Sequence, residues 1–343
     1  MKKLNVGVIG AGNISIRHLN AYASNDSVNI LAICDIDLNR AKQQADNYNI
    51  PYIFSNYEDL LKIKDLDAVS ICVWNSLHKE VALAALSANK HIFLEKPPAL
   101  NYEETKELSI AHQSKNVILH VGFVLRHSEH IELSKQIIES GKLGEIYYAK
   151  ASWLRRAGSP KGWFTKKSLS GGGPLIDLGI HMIDICWYLM GKPRIISSQG
   201  HTNNTLGPRD NVNVSNTYLS IDKKSYQYDV EDFANALLTL ENGASIYIDV
   251  SHNLHMEVNE KIEVTLYGEK GSLKISPNLI IDTELLNKFC TLKIETTSSY
   301  IDFDMSHKKE VDFFVKSCLN NSETNSSIVD ALSIMEVISN IYK

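Results

Sequence analysis

The sequence predicts an α/β protein of two domains, in which a doubly wound parallel sheet is followed by an α+β domain with a mainly antiparallel sheet. Three observations support this fold class. Short apolar strands alternate with helices over residues 4–121, a glycine-rich turn follows the first strand, and turn signals separate pairs of strands in the C-terminal half. A chain of 343 residues is also longer than one typical core requires. We therefore expect domains at residues 1–123 and 124–343, with the C-terminal helix as a candidate to pack back on the first domain.

The N-terminal domain is predicted from strands and helices that follow one another in order. Residues 68–73 are apolar without alternation, as expected for a strand that is covered on both faces. This alternation of strands and helices implies right-handed crossovers and one parallel, doubly wound sheet. The predicted strands are 4–9, 30–34, 52–54, 68–73, 91–94 and 117–121, and the predicted helices are 14–24, 37–48, 78–89 and 102–115.

The C-terminal domain has a different pattern, in which turns join neighbouring strands. Asn-Gly at residues 242–243 and two glycines in residues 268–271 are typical hairpin signals. The predicted strands are 145–153, 236–240, 244–250, 262–267 and 272–275, and the predicted helices are 129–140, 175–190, 308–319 and 328–342. The last two helices have apolar residues at helical spacing.

Composition limits the classes of function. The formal net charge is −5, from 35 basic and 40 acidic residues, so the chain offers no overall basic footprint for nucleic acid. No apolar run approaches the roughly 20 residues of a membrane helix, and glycines interrupt the N-terminal apolar stretch, which argues against a signal peptide. The five cysteines form no C-x-x-C pair, which points to a reducing compartment. We expect a cytoplasmic protein with a small-molecule partner, without nucleic-acid or membrane partners.

A dinucleotide-binding pattern follows the first strand, as Gly10-Ala11-Gly12-Asn13-Ile14-Ser15. Gly10 permits a tight turn, and Gly12 allows the backbone to approach a pyrophosphate. The helix that begins near Asn13 presents its first N–H groups and its positive dipole end to that anion. A glycine pattern alone is weak evidence, but the position between a strand and a helix is the required context. We expect the cofactor to be bound by Gly10, Ala11, Gly12, Asn13 and Ile14.

An acidic residue, Asp35, ends the second predicted strand, twenty residues after Ser15. A carboxylate there can accept hydrogen bonds from the adenosine ribose and would repel the 2′-phosphate of NADP, which favours NAD. Arg40 lies close enough in sequence to contribute to cofactor binding and to leave NADP open. The alternative is that Asp35 or Asp37 only caps the next helix.

A lysine follows the predicted strand 91–94, within Glu95-Lys96-Pro97. Ligands bind at the carboxyl ends of strands in parallel sheets, so Lys96 is expected at the mouth of the site. Its ammonium can donate to a substrate oxygen and stabilise developing negative charge. The alternative is a solvent-exposed lysine in a proline-rich loop, because most lysines are exposed.

A run of three glycines at 171–173 precedes a helix that is apolar on nearly every side. Asp177, His181 and Asp184 interrupt this helix at i, i+4 and i+7, which predicts a polar stripe on one face. Such a stripe on a buried helix is costly unless it has partners or faces a pocket. The alternative is a buried histidine that is paired with Asp177 along the helix.

Over most of its length the chain resembles the glucose–fructose oxidoreductase, inositol dehydrogenase and rhizopine-catabolism (Gfo/Idh/MocA) family of NAD(P)-dependent oxidoreductases. Glu-Lys-Pro together with Asp-x-x-x-His is specific for that family. The resemblance is carried by Val8-Ile9-Gly10-Ala11-Gly12, Asp35, Asn75-Ser76-Leu77-His78, Glu95-Lys96-Pro97, Val121-Gly122-Phe123, Arg126, Gly162-Trp163-Phe164-Thr165, Gly171–His181, Asp232-Phe233-Ala234 and Asn242-Gly243-Ala244. One departure is Val73-Trp74, where the family commonly has Thr-Pro.

The resemblance implies a Rossmann domain followed by an α+β domain whose large open sheet often forms a dimerisation surface. We therefore expect a homodimer or homotetramer. The implied cofactor is NAD, with NADP not excluded, and the implied catalytic set is Lys96, Asp177 and His181. The residues implied near the cofactor are Asn75, His78, Glu95 and Lys96, and those implied at the substrate are Lys96, Arg126, Trp163, Asp177 and His181.

The predicted function is transfer of a hydride between a secondary alcohol of a sugar or polyol and a nicotinamide cofactor. His181 would act as the general base, and Lys96 would stabilise the developing alkoxide. Asp177 would orient the substrate or tune His181. Two alternatives stay open: NAD-dependent cleavage of glycosidic bonds, which some members of this family perform, and a non-catalytic NAD(P)-binding regulator on the same fold.

Two other groups of side chains are given no role in the predicted site. The paired arginines at 155–156 could bind an acidic or phosphorylated sugar, but ordinary surface charge is the favoured interpretation. The pairs His127/His130 and His252/His255 invite a metal interpretation, yet neither has a convincing third ligand. No metal is therefore expected.

Overall fold

The computed structural model describes residues 3–209, 219–221, 227–297 and 301–343. The chain divides into two compact units. The first unit consists of Met1–Gly122, Ser168–Gly171 and His307–Leu332. The second consists of Phe123–Lys167, Gly172–Ser306 and Ser333–Lys343.

A six-stranded sheet forms the centre of the first unit, with the order β3-β2-β1-β4-β5-β6 and every neighbouring pair parallel. The strands are β1 (Leu4–Ile9), β2 (Val28–Cys34), β3 (Tyr52–Phe54), β4 (Ala68–Ile71), β5 (His91–Leu94) and β6 (Leu119–Val121). This is the strand order of a doubly wound dinucleotide-binding sheet, and the predicted α/β fold class is confirmed. The strand order changes direction between β1 and β4, where ligands bind in such sheets.

The helices lie close to their predicted positions. They are α1 (Asn13–Ala23), α2 (Leu38–Tyr48), α3 (Tyr57–Leu61), α4 (Asn75–Ser87), α5 (Tyr102–Gln113), α6 (Glu129–Glu139), α7 (Lys167–Ser170), α8 (Ile180–Leu189), α9 (Phe303–Asn320) and α10 (Ile328–Ile341). Side-chain caps explain several starts: Asp37 accepts from the N–H of Asn39 and Asn101 accepts from the N–H of Glu104. The short helices α3 and α7 were not predicted, because five and four residues are too few to show helical periodicity.

The core of the first unit includes residues from the far end of the chain. Val311 and Phe314 of α9 are fully buried, in one apolar cluster with Val6, Val8 and Phe93 of the sheet. Phe314 and Phe93 meet edge to face, with ring centroids 5.4 Å apart. The later part of α9 is therefore a structural element of the dinucleotide-binding unit.

An eight-stranded sheet dominates the second unit, with the order β14-β13-β12-β11-β7-β10-β9-β8. The strands are β7 (Ile146–Arg155), β8 (Ile195–Asn203), β9 (Phe233–Leu240), β10 (Ser245–Ser251), β11 (Glu260–Gly268), β12 (Gly271–Ser276), β13 (Leu279–Leu285) and β14 (Lys288–Ile294). All pairs are antiparallel except β7 and β10. The mainly antiparallel sheet and its two predicted hairpins are confirmed, whereas the hairpins β12–β13 and β13–β14 were not predicted.

The predicted helix 175–190 does not have one regular geometry. Leu175–Gly179 forms a π-helical turn, and the α-helix α8 starts only at Ile180. Asp177 lies in the π turn, whereas His181 and Asp184 lie in the regular helix, so the α-helical spacing that predicted the i, i+4, i+7 stripe is interrupted between Asp177 and His181. A π turn is a local feature that hydrophobic spacing does not encode.

The structure also bears on membrane-spanning helices and on the state of the cysteines. Within the described residues, no helix combines the length and apolarity that crossing a bilayer requires. All five cysteines carry free thiols, and four of them are buried. A buried thiol packs as a small apolar group, which accounts for these positions without disulfides.

Candidate active site

The turn after β1 has the geometry that the glycine pattern predicts. Gly10 has φ of +96°, in the left-handed region, and a Cβ added there would lie 2.4 Å from the carbonyl oxygen of Cys72. Its N–H donates to the carbonyl of Cys34 at 2.8 Å. Only glycine can therefore occupy this position, because the turn passes against the ends of two neighbouring strands.

The helix α1 begins directly after this turn and presents its N-terminus to the same edge. Its N-cap, Gly12, has no side chain with which to cap the first N–H groups. Ser15 is fully buried, and its hydroxyl donates to the carbonyl of Gly12 at 2.6 Å. A small residue is thus accommodated at the third glycine position, and the helix start fits a pyrophosphate.

Asp35 connects the glycine turn to the loop after β2. Its Oδ2 accepts a hydrogen bond from the N–H of Ala11 and its Oδ1 from the N–H of Asp37, both at 2.8 Å. The Nη1 of Arg40 lies 3.5 Å from Oδ2. Asp37, by contrast, is the residue that caps α2. The helix-cap alternative therefore describes Asp37, while Asp35 is fixed beside the glycine turn, as a ribose-binding carboxylate requires.

Glu95 is buried at the end of β5, immediately before Lys96. The Nε2 of His18 lies 2.7 Å from Glu95 Oε1, and the N–H of Lys96 donates to Oε2 at 3.3 Å. Burial alone would raise the pKa of Glu95, but the hydrogen bond with His18 and electrostatic attraction to His18, His307 and Lys96 outweigh it and lower the pKa from 4.5 to about 2. An ionised carboxylate thus anchors the backbone that carries Lys96. The Lys96–Pro97 bond is cis.

The segment that starts α4 contacts the same loop through backbone carbonyls. His78 is buried, with Nδ1 2.6 Å from the carbonyl oxygen of Pro97 and Nε2 3.1 Å from that of Val73. Burial lowers the pKa of His78 below 6.5, although both carbonyls oppose the shift. The amide of Asn75 donates to the carbonyl of Ser170 at 2.8 Å. Glu95, His78 and Asn75 thus form hydrogen bonds with other protein groups. Contact of these residues with the cofactor stays a prediction.

In the second unit, a glutamate that the sequence interpretation missed organises the glycine run. Glu231 accepts hydrogen bonds from the N–H groups of Gly173 and Leu175, at 2.9 and 3.0 Å. The hydroxyl of Tyr342, near the end of the chain, donates to the same carboxylate at 2.8 Å. A Cβ on Gly173 would lie 2.0 Å from the carbonyl oxygen of Glu231. Glycine is therefore required at position 173 for the backbone of Glu231 to lie this close. The carboxylate of Glu231 in turn caps the N–H groups that begin the turn carrying Asp177.

Asp177 pairs with a histidine that was not assigned to the site. Its Oδ2 lies 3.0 Å from the Nε2 of His252, which directly follows β10. The predicted base, His181, is buried, with its ring centroid 5.8 Å from that of Trp153. The sequence singled out His252 only within the pair His252/His255, as a candidate metal ligand, and did not indicate a contact with Asp177.

Arg126, predicted at the substrate, lies in a buried ion pair with Asp184. Its Nη2 is 2.5 Å from Asp184 Oδ1, and its Nε is 3.1 Å from both carboxylate oxygens. The guanidinium also stacks on the rings of Phe123 and Tyr188. These contacts favour a structural role for Arg126 over direct contact with substrate.

Trp163, also predicted at the substrate, lies in a short 3₁₀ turn, Gly162–Thr165. Its ring stacks on that of Phe164 at 3.9 Å and stays partly exposed. A partly exposed, stacked indole retains a face for a sugar ring, so its substrate role stays a prediction.

The parallel sheet, the glycine turn and the fixed Asp35 define a dinucleotide-binding protein. Residues 4–123 match the family model of an oxidoreductase family with an NAD-binding Rossmann fold, and residues 131–274 match the GFO/IDH/MocA C-terminal domain. The chain therefore belongs to the Gfo/Idh/MocA family of NAD-binding oxidoreductases.

Named relatives of the chain are sugar and polyol dehydrogenases. It is 31% identical over 277 residues to D-glucoside 3-dehydrogenase of Escherichia coli (strain K12), covering 80% of this chain and 77% of the relative. It is 25% identical to myo-inositol 2-dehydrogenase of Thermotoga maritima, over 79% of this chain and 74% of that one. A solved levoglucosan dehydrogenase, in complex with NADH and levoglucosan, shares the fold with a TM-score of 0.87 at 24% identity, covering 99% and 96% of the two chains.

Proposed function

We propose that the protein is an NAD-dependent dehydrogenase that acts on a secondary alcohol of a sugar or polyol. The observation that carries the proposal is the arrangement of Gly10, Asp35 and Lys96, which follow β1, β2 and β5 at the carboxyl edge of one parallel sheet. That edge is where dinucleotides and their substrates bind in doubly wound sheets. The sugar and inositol dehydrogenases among the relatives support the substrate class.

The chain's own residues supply binding and proton transfer. His181 removes the hydroxyl proton of the substrate, and Lys96 donates a hydrogen bond to the same oxygen as negative charge develops on it. Asp177 orients the substrate. NAD, when bound, supplies the hydride acceptor. In the reducing direction His181 returns the proton.

The environment of Asp35 supports NAD over NADP. The carboxylate is held by the N–H groups of Ala11 and Asp37, so it cannot swing away from a ligand without losing two hydrogen bonds. A 2′-phosphate would meet this fixed negative charge, whereas ribose hydroxyls would donate to it. Arg40 offsets part of that charge, at 3.5 Å.

The test is a panel of sugars and polyols with NAD and with NADP, followed at the nicotinamide absorbance. Net NADH accumulation is expected, and it separates a dehydrogenase from an enzyme that cleaves glycosides without net oxidation. Lys96→Ala and His181→Ala are expected to lower kcat about 100- to 10,000-fold. The exposed residues Lys293 and His201 provide matched controls, as Lys293→Ala and His201→Ala.

Two results would overturn the proposal. Nearly full turnover of Lys96→Ala or His181→Ala on the true substrate would remove the catalytic assignments. Tight NAD binding by the wild-type protein without oxidation of any compound in the panel would instead favour a cofactor-binding regulator.

The outer face of the eight-stranded sheet supports a proposed homodimer or homotetramer. Leu237, Tyr247 and Lys150 are direct neighbours across β9, β10 and β7, and Leu237 is 48% exposed. The opposite face is buried, as at Ile246 and Ile248. A broad, partly apolar sheet face of this kind fits a self-complementary interface. Light scattering of the purified chain should report two or four copies, and a monomer at micromolar concentration would contradict the assembly.

The cytoplasmic location also stays a proposal. Its support is the set of five free thiols, since unpaired cysteines are typical of proteins from reducing compartments. Fractionation of the producing cell should recover the protein with the cytoplasmic markers.

A further inference from the structure

We propose that His252 is a positioning residue, which holds the carboxylate of Asp177 in the orientation that the reaction requires. The inference rests on the proposed role of Asp177 at the substrate. It adds a residue that lies outside the Asp-x-x-x-His motif and that comes from a different part of the second unit, 75 residues further along the chain.

The exposures of the two side chains assign their roles. The side chain of Asp177 is 14% exposed, whereas that of His252 is 2% exposed. A substrate that approaches this pair therefore meets the carboxylate, and the imidazole lies behind it. With Nε2 at 3.0 Å from Oδ2, the imidazole can donate an N–H to the carboxylate and fix its plane.

The backbone of His252 is held at both ends. Its N–H donates to the carbonyl of Asp232 at 2.9 Å, and its own carbonyl accepts from the N–H of Gly158 at 2.6 Å. Asp232 is itself held, since its carboxylate accepts hydrogen bonds from the N–H groups of Leu206 and Gly207. The imidazole thus projects from a fixed position just beyond β10.

The backbone of Asp177 is fixed as well. Its N–H donates to the carbonyl of Gly173 at 3.1 Å, within the turn that Glu231 caps. The hydrogen bond between His252 and Asp177 therefore joins two segments whose backbones are held. Removing it takes away one constraint on the rotamer of the carboxylate, and a displacement of about 1 Å at a catalytic group can cost about 100-fold in rate.

The neighbouring histidine has a different environment and provides the control. His255 is exposed, and its Nε2 lies 2.8 Å from the Nη1 of Arg209. The sequence pair His252/His255 therefore divides into one buried residue behind Asp177 and one surface residue. A substitution of His255 changes the same segment without touching Asp177.

The kinetic test compares His252→Leu, His252→Gln and His255→Leu in the full-length enzyme. His252→Leu is expected to lower kcat/KM for the alcohol about 10- to 100-fold, mainly through kcat, with the KM for NAD within about twofold of wild type. His252→Gln can present an amide N–H near the position of Nε2 and should recover most of the loss. A merely structural histidine would not be rescued in this way. Wild-type kcat/KM in His252→Leu would overturn the proposal.

A second measurement does not depend on turnover or on the identity of the substrate. In protein labelled with ¹⁵N-histidine, the Nε2–H of His252 should give a hydrogen-bonded proton resonance, assigned by its loss in His252→Gln. The resonance should disappear or shift strongly in Asp177→Ala and persist in His255→Leu. If Asp177→Ala leaves it unchanged, the proposed contact is wrong.

The two arms separate the possible failures. If the wild-type protein oxidises no compound in the panel but the His252 resonance responds to Asp177→Ala, the dehydrogenase function is refuted and the pairing of His252 with Asp177 stands. If the wild-type protein oxidises a compound in the panel but Asp177→Ala leaves the His252 resonance unchanged, the positioning role alone is refuted. A circular dichroism melt of each variant identifies any that fails to fold, and the Gln variant then carries the kinetic comparison.

Discussion

The imidazole of His18, on α1, lies 2.7 Å from the buried carboxylate of Glu95, one residue before Lys96. On its other side the Nδ1 of His18 lies 3.2 Å from the hydroxyl of Ser70, which is 2.7 Å from the hydroxyl of Tyr22. This chain of buried polar groups links the helix that starts the nucleotide site to the strand end that carries Lys96. Charge and hydrogen bonding, rather than apolar contact alone, thus fix the loop of the predicted catalytic lysine.

The first prediction concerns the pH dependence of stability through Glu95. Its pKa falls from 4.5 to about 2 on folding, so the ionised carboxyl stabilises the folded protein above about pH 4.5. That contribution, about 3 kcal/mol, is lost as the pH falls from 4.5 towards 2. Glu95→Gln should therefore be less stable than wild type at pH 7, by an amount that shrinks in acid. Urea unfolding of both proteins at a series of pH values measures the difference.

A control for Glu95 is available at the surface. Glu284 is exposed on β13, and Glu284→Gln should change the free energy of unfolding little at any pH. A constant difference between wild type and Glu95→Gln from pH 7 to pH 3 would contradict the prediction.

The second prediction concerns the choice of cofactor. Asp35→Ser removes a carboxylate that is expected to accept from the ribose, so the KM for NAD should rise about tenfold or more. The same change removes the repulsion of a 2′-phosphate and leaves Arg40 nearby, so the ratio of kcat/KM for NAD to that for NADP should fall about 100-fold. Initial rates with both cofactors give this ratio. Asp37→Ser, which keeps a capping oxygen at the start of α2 and leaves Asp35 in place, should change this ratio far less.

The third prediction concerns the buried pair of Arg126 and Asp184. Arg126→Met removes the guanidinium that pairs with the buried carboxylate of Asp184 and should lower the free energy of unfolding by about 3–5 kcal/mol. In the double variant Arg126→Met/Asp184→Leu, much of that loss should return, because no buried charge is left behind. Urea unfolding of wild type, Arg126→Met, Asp184→Leu and the double variant measures the coupling free energy between the two side chains. If the double variant regains stability but has a greatly raised KM for the alcohol, Arg126 also contacts the substrate.

The fourth prediction concerns the glycine run before the π turn. Gly173→Ala would place a methyl group 2.0 Å from the carbonyl oxygen of Glu231, so the backbone that carries Asp177 must move. We expect kcat/KM to fall at least about tenfold and stability to fall by about 1–3 kcal/mol. Gly179→Ala is the control, because its added methyl would meet a flexible side chain, Leu175, at 3.0 Å. Equal activity of the two variants would contradict this account.

Much of the fold is readable from the sequence because it depends on local patterns. The apolar runs place the six parallel strands, and the glycine pattern identifies the turn where Gly10 takes a left-handed conformation. The hairpin β13–β14 was missed because its turn, Leu286-Asn287, contains no glycine, although both residues have positive φ.

The sequence by itself determined the class of fold, the dinucleotide turn and the identities of Lys96, Asp177 and His181 as candidates, because each depends on residues close together in the chain. Only the tertiary structure decided which groups hold them. Glu95 pairs with His18, 77 residues away, and Asp177 pairs with His252, 75 residues away. Such partners are chosen by the packing of strands and helices, and a buried charge requires a partner from whichever segment lies beside it.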